Sequence, residues 1–212
     1  MANPASGAEE DPVDAQPRSR LRDAEILEKA MRKAISTSPE AFLTTMDDLD
    51  HKEADYWESE IGSATWAVIQ KGDKVVGFAV ARWPHHEMDR DVDPVAARFI
   101  ESVWIDPELR GKRVAERLVR FLFEVERAKS PSVSRFLLWV FDKNRTAINL
   151  YKRMGFTYVT RQELDDQSGR TELRYEYQLE PDALGGQATL AARQEDLRKH
   201  GLHYRVLGED NQ

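Results

Sequence analysis

The sequence predicts an α/β (α+β) domain, a mixed central sheet of about six to seven strands flanked by helices. Three observations carry this. Short apolar or alternating runs recur at 65–70, 75–82, 99–105, 135–141, 156–161 and 171–179, with 202–207 as a candidate last strand. Between them lie stretches at 21–35, 113–128 and 146–154 whose apolar residues return every three to four positions. Within 99–128 a strand, a basic turn and a helix start follow one another directly, and a mixed sheet suits this order.

Each element has its own reason. Residues 1–18 mix acidic residues, proline and small residues without the charged-then-apolar pattern of an export signal, and are expected to be a disordered tail. Leu27, Ala30, Met31, Ala34 and Ile35 form one helical stripe. Asp47 and Asp48 suit the start of a second helix over 47–61, which Gly62 stops. Strands 65–70 and 75–82 flank the hairpin turn Lys71-Gly72-Asp73-Lys74. Residues 83–97 are polar and irregular. The run Phe99 to Ile105 ends at Asp106-Pro107, and the basic loop Arg110-Gly111-Lys112-Arg113 follows. Helix 113–128 sends Val114, Leu118, Phe121, Leu122 and Val125 to the core. Its other face carries the pairs Glu116–Arg120 and Arg120–Glu124, expected on a solvated surface. Arg135–Phe141 is nearly all apolar, as in a strand buried on both faces. After helix 146–154, two strands flank a polar turn, Asp165 to Arg170. The domain is expected over 19–180. Beyond it, 181–212 forms an extension with a helix at Ala188–His200, a left-handed stop at Gly201 and a short strand at Leu202–Leu207. Dimerisation and capping a sheet edge are both open uses for it.

Composition removes several classes. Of 212 residues 41% are hydrophobic, yet no apolar run nears the roughly 18 residues that span a membrane. The net charge of −7 argues against a general nucleic-acid binder. The absence of cysteine excludes disulfides, Cys-ligated zinc and a cysteine acyl-enzyme. With no export signal, the cytoplasm is the expected compartment.

The chemistry is written at 99–128. The first turn of a helix has backbone N–H groups without internal partners, and its dipole adds partial positive charge. A basic, glycine-containing turn before it is a recipe for holding a pyrophosphate. A solvated basic loop is the plainer alternative. No Gly-x-x-x-x-Gly-Lys-Ser/Thr segment is present, so a P-loop fits poorly.

The stretch Ile105-Asp106-Pro107, then Arg110-Gly-Lys-Arg113-Val-Ala115, resembles the acyl-CoA motif of the GNAT superfamily of N-acetyltransferases, Arg/Gln-x-x-Gly-x-Gly/Ala. Asn144-Arg-Thr-Ala147-Ile-Asn-Leu150-Tyr151-Lys-Arg-Met-Gly155-Phe156 matches that family's second signature completely. Ser38-Pro39-Glu40-Ala41-Phe42 is similar to a segment found early in many bacterial members. The resemblance covers about residues 20–180. It implies a mostly antiparallel sheet that splays between strands 99–105 and 135–141. The family normally has a strand before the first helix; only Ser19–Arg22 is available for it here, so it is expected to be short or absent.

The resemblance also implies a site. Acetyl-CoA is the co-substrate. Its pantetheine arm meets the main chain of Val103, Trp104 and Ile105, and its pyrophosphate the amides of Arg110, Gly111, Lys112, Arg113, Val114 and Ala115. Arg113 departs from the family's usual glycine, and helix-start geometry is expected to accept it. Asn144 either contacts the pantetheine arm or caps its own helix. Tyr151 holds the position of the tyrosine that meets the sulfur, as acid, while its ring can also belong to the core. Glu101 is the candidate base, since a carboxylate in an apolar strand is costly unless paired or functional. A salt-bridged glutamate is the alternative.

Transfer to an amine requires loss of the amine proton, a donor for the oxyanion and protonation of the thiolate. The expected function is acyl-CoA-dependent N-acyltransfer, most simply acetyl from acetyl-CoA to a primary amine of a small molecule or a protein. Without cysteine, the amine attacks the donor directly in a ternary complex. A non-catalytic CoA-binding sensor on the same fold is the alternative. No nucleic-acid or membrane partner is expected, and a homodimer stays open. No metal is expected: adjacent His85 and His86 with Asp89 read as exposed loop residues. Trp66, Trp83 and Trp104 read mainly as core, the alternative being the lining of a pocket for an apolar or aromatic acceptor.

Overall fold

The computed structural model describes residues 12–53, 55–84, 91–164, 169–179, 194–195, 197–199 and 201–209. In chain order they form α1 (Pro12–Thr37), a 3-10 turn (Pro39–Ala41), α2 (Met46–Asp50), α3 (Tyr56–Ser63), β1 (Thr65–Lys71) and β2 (Lys74–Arg82). Then come β3 (Ala97–Ile105), a 3-10 turn (Pro107–Leu109), α4 (Val114–Lys129), β4 (Arg135–Phe141) and α5 (Arg145–Met154). Strands β5 (Thr157–Glu163), β6 (Thr171–Gln178) and β7 (His203–Val206) complete the set. The strands make one sheet in the order β5-β6-β4-β3-β2-β1-β7. Only β3 and β4 pair in parallel; the other pairs are antiparallel.

Alternation along the strands sorts side chains onto two faces, and each face has its own core. Ala67, Ile69, Ile100, Phe136 and Leu138 pack under α4 and α5, against Leu118, Leu122, Ile148 and Tyr151. Trp66, Val68, Phe78, Val80 and Trp104 pack under α1–α3, against Leu27, Met31, Leu49, Trp57 and Ile61.

Some boundaries depart from the sequence reading. Helix α1 begins at Pro12 rather than 21. The single helix expected over 47–61 is two. Thr45 and Asp48 close a reciprocal capping box that starts α2, and the helix ends at His51 before α3 begins at Tyr56. Glu124, expected on a solvated face, is buried, whereas the Glu116–Arg120 pair forms at 3.3 Å. Of the helix expected at Ala188–His200, residues 188–193, 196 and 200 lie outside the described residues. Residues 19–22 are helical, so the strand expected there to be short or absent does not form, and β7 pairs along the outer edge of β1.

The feature that makes a site is a failure of pairing. β3 and β4 are partnered only at Ala97–Arg135, Arg98–Phe136 and Phe99–Leu137. Just beyond, β3 bulges. Ser102 and Val103 lie between Glu101 and Trp104, where β2 has only Ala79 between their partners Val80 and Phe78. Ser102 takes φ 49°, a left-handed conformation that costs a non-glycine residue energy. An extra residue in one strand bends it and interrupts the ladder, so the two middle strands part.

Candidate active site

A cleft of about 450 Å³ fills the gap between the parted strands. Its wall contains Val103, Trp104 and Ile105 of β3, and Arg110, Gly111, Arg113, Val114 and Ala115 at the opening of α4. Asn144 and Tyr151 contribute from α5, and Ser38, Glu40 and Ala41 close the side nearest α1. The structure thus gathers almost all of the expected residues, including the early Ser38–Ala41 segment. Lys112 and Glu101 are not in the lining. A larger open groove, about 1250 Å³, runs between α1, the β1–β2 turn and β7. Several of its cations are already paired: Lys29 with Glu25, Lys33 with Asp106 and Arg205 with Asp23.

Backbone groups dominate the cleft. Past Phe99 the β4-facing N–H and C=O groups of β3 have no ladder partner on β4, and such groups seek a hydrogen bond elsewhere. At α4, Arg113 is the N-cap residue and its side chain makes no capping bond. The first-turn amides therefore stay available to an anion. Arg113 itself sits at φ 56°, ψ 21°. This corrects the expectation that helix-start geometry suits a non-glycine residue: the position is left-handed, the region where glycine is strain-free. Gly111 also needs its freedom, at φ 78°.

The cations of the basic loop have local duties. Arg110 donates from Nε to the carbonyl of Ile105 at 3.0 Å and from Nη2 to Ser38 Oγ at 2.7 Å. Lys112 donates to the carbonyl of Glu108 at 3.2 Å. Two more contacts tie α1 to the same wall. Lys33 pairs with Asp106, whose other oxygen accepts from the amide of Glu108 at 3.1 Å. Trp104 donates through Nε1 to Thr37 Oγ1 at 3.2 Å. Burial alone would raise the pKa of Asp106, but Lys33 and the Glu108 amide outweigh it and hold the carboxyl below its usual range.

Asn144 caps α5, its Oδ1 accepting from the amide of Ala147 at 3.1 Å, while also facing the cleft. Tyr151 is 6% exposed and its ring meets Phe156 edge-on. The residue lines the cleft from α5. Burial pushes the phenol well above its usual range, so it is a proton donor across the working pH range.

Glu101 stands opposite Val80 in register and faces the α3 side. Its Oε2 accepts from Arg82 Nε at 3.0 Å, and the same guanidinium engages Glu60 of α3. The carboxylate of the apolar strand is therefore paired, and it lies on the opposite face of the sheet from Tyr151. Sequence reasoning missed Arg82 and Glu60. A lone arginine ending a strand and a glutamate in a short helix carry no signal until the fold brings them within reach. Trp66 and Trp104 are core, while Trp83 is 55% exposed with the Arg98 guanidinium 3.6 Å from its ring centre. His85, His86 and Asp89 lie outside the described residues.

A profile described as the acetyltransferase (GNAT) family matches residues 27–156. A mycothiol acetyltransferase of Thermobispora bispora is 26% identical over 141 residues, 66% of this chain and 44% of that protein. The chain spans about half the length of the mycothiol acetyltransferases it matches. A peptidyl-lysine N-acetyltransferase, YjaB, of Salmonella typhimurium is 23% identical over 70% of this chain and 87% of its own. Arabidopsis thaliana NAA60 in complex with acetyl-CoA superposes with a TM-score of 0.54 at 19% identity, over 74% of this chain and 94% of that one. A GNAT-family acetyltransferase from Streptococcus pneumoniae gives 0.56 at 16%, over 75% and 95%.

Proposed function

The chain belongs to the acetyltransferase (GNAT) family, and from that premise we propose that it moves an acetyl group from acetyl-CoA to a primary amine by direct attack in a ternary complex. The observation that carries the reading is the meeting of two things in one cleft. Main chain of β3 without a ladder partner on β4 and the opening of α4, which has no side-chain cap, lie on one side, and Tyr151 lines the other. The lining suits the co-substrate: Val103–Ile105 would hold the pantetheine arm, and the amides from Arg110 to Ala115 the pyrophosphate, with Arg113 adding charge. When bound, the thioester supplies an activated acyl carbon.

The chain's residues do the rest. Glu101 accepts the proton that an ammonium, with a pKa of about 10.4, must lose before it can attack. The nitrogen then bonds to the acyl carbon and the carbon–sulfur bond breaks. Tyr151 gives its proton to the departing thiolate and recovers one from the acylated nitrogen, and a main-chain N–H of β3 beyond Phe99, without a ladder partner on β4, steadies the oxyanion. The absence of cysteine supports direct attack. The relatives named above act, by their names, on mycothiol chemistry and on peptidyl lysine, which supports a small-molecule or protein amine as acceptor. The non-catalytic sensor draws no support from them.

The test is a panel of primary amines incubated with acetyl-CoA and read by free thiol, beside a thermal shift with CoA. Thiol release with at least one amine and a stabilising shift are expected. No shift at millimolar CoA would remove the reading.

A further inference from the structure

Arg82 stands outside the cleft but beside the proposed base, and its bonding is unusual. It sits at the end of β2 on the α3 side of the sheet, diagonal to Glu101 across the β2–β3 ladder. Nε donates to Glu101 Oε2 at 3.0 Å, Nη2 engages Glu60, and Nη1 reaches Ser63 Oγ at 3.3 Å. One guanidinium is thus divided between two carboxylates from different elements. Among the described residues, Oε1 of Glu101 accepts no hydrogen bond. One oxygen is fixed and the other is left to take a proton.

The surroundings fit that division. From α3, Glu60 and Tyr56 face the group. From β4, Leu137 and Trp139 share its face. Beyond Trp139, β6 carries Arg174, which is paired with Asp91 and Glu176. Two carboxylates around one cation leave one net negative charge, a setting that draws an ammonium in before it is deprotonated.

We propose that Arg82 is the positioning residue of the base, and that Glu60, by taking a share of the guanidinium, sets how strongly Arg82 holds Glu101. This rests on the reading of Glu101 given above. Removing Arg82 strips the carboxylate of its cation and its anchor. Removing the charge of Glu60 hands the whole guanidinium to Glu101. The two changes therefore move the protonation of Glu101 in opposite directions, which a purely structural role would not do.

The experiment compares wild type, Arg82→Met, Glu60→Gln and Glu101→Gln. Free-thiol turnover with acetyl-CoA and an acceptor amine is followed from pH 5 to 9, and the Glu101 carboxyl is titrated by carbon NMR, which needs no acceptor. Arg82→Met is expected to lower kcat about tenfold or more, keep the KM for acetyl-CoA, and move the acid limb and the NMR midpoint up by about one pH unit. Glu60→Gln, a conservative change that keeps a folded protein in hand, moves both down. Midpoints that stay in place, or move in the same direction in both variants, overturn the inference. Full turnover by Glu101→Gln removes the base itself. An inactive Glu101→Gln beside unmoved midpoints removes only the role of Arg82.

Discussion

Tyr151 packs its ring in the α4–α5 core and lines the cleft, and burial keeps its hydroxyl protonated above the usual range. Because the folded value is raised, the phenol stays neutral through pH 10 and ionises only beyond. Rate–pH profiles should therefore show no alkaline limb from this residue below pH 10. Tyr151→Phe should lower kcat about 100-fold while leaving CoA affinity intact. Unchanged turnover would end its role as acid. Arg113 argues the opposite trade. At φ 56° it bears strain that glycine would not, about 1 kcal/mol or more. Arg113→Gly removes that strain but adds chain entropy of similar size, so the melting temperature should hold within a few degrees. The KM for acetyl-CoA should rise several-fold, most at low salt, as expected when a phosphate loses a cation. A salt-independent KM would deny the guanidinium any phosphate contact.

At the scale of elements, what could be read in advance was whatever is contiguous. β4 begins and ends where its apolar run does, and the two motifs land on the α4 opening and α5 because each is one strand–turn–helix unit. The break between α2 and α3 escaped because a capping box starts a helix without saying how far it runs. The latch between α1 and β3 escaped because its pairs, Lys33–Asp106, Thr37–Trp104 and Ser38–Arg110, join residues far apart in the chain. That latch has a pH signature. Asp106 is held below its usual range, so its contribution is present above about pH 4 and fades as pH falls through its folded value. Asp106→Asn should melt about 2–4 °C below wild type at pH 7, and the two curves should converge toward pH 3. A gap constant over that range would mean that the charge of Asp106 is not what holds the latch.

Over the whole molecule, the outer edge of β1 is covered from the far end of the chain. Position 23 of α1 and the C-terminal segment meet there. Asp23, fully buried, pairs with Arg205 at 2.5 Å and accepts from the amide of Gly208 at 2.8 Å. Tyr204 stacks on Phe121 of α4 with ring centres 4.3 Å apart. Edge capping, one of the two uses left open for the extension, is realised by β7 on β1, and no local pattern could announce it, because β7 is defined only by the strand it joins. Leu197, Leu202, Tyr204 and Leu207 are all buried. At about 1.5–3 kcal/mol for each large side chain, their loss rivals the net stability of a domain, about 5–15 kcal/mol. It would also bare the edge of β1, whose first six residues are all buried. A chain stopped at residue 180 should therefore lose its cooperative melt or aggregate. A milder cut separates the ion pair from the packing: Arg205→Met, which strands a buried carboxylate, should cost about 3 kcal/mol, and adding Asp23→Asn should recover part of it. Calorimetry reads both. A stopped chain that melts like the full one and still shifts with CoA would mean that the extension decorates the fold without completing it.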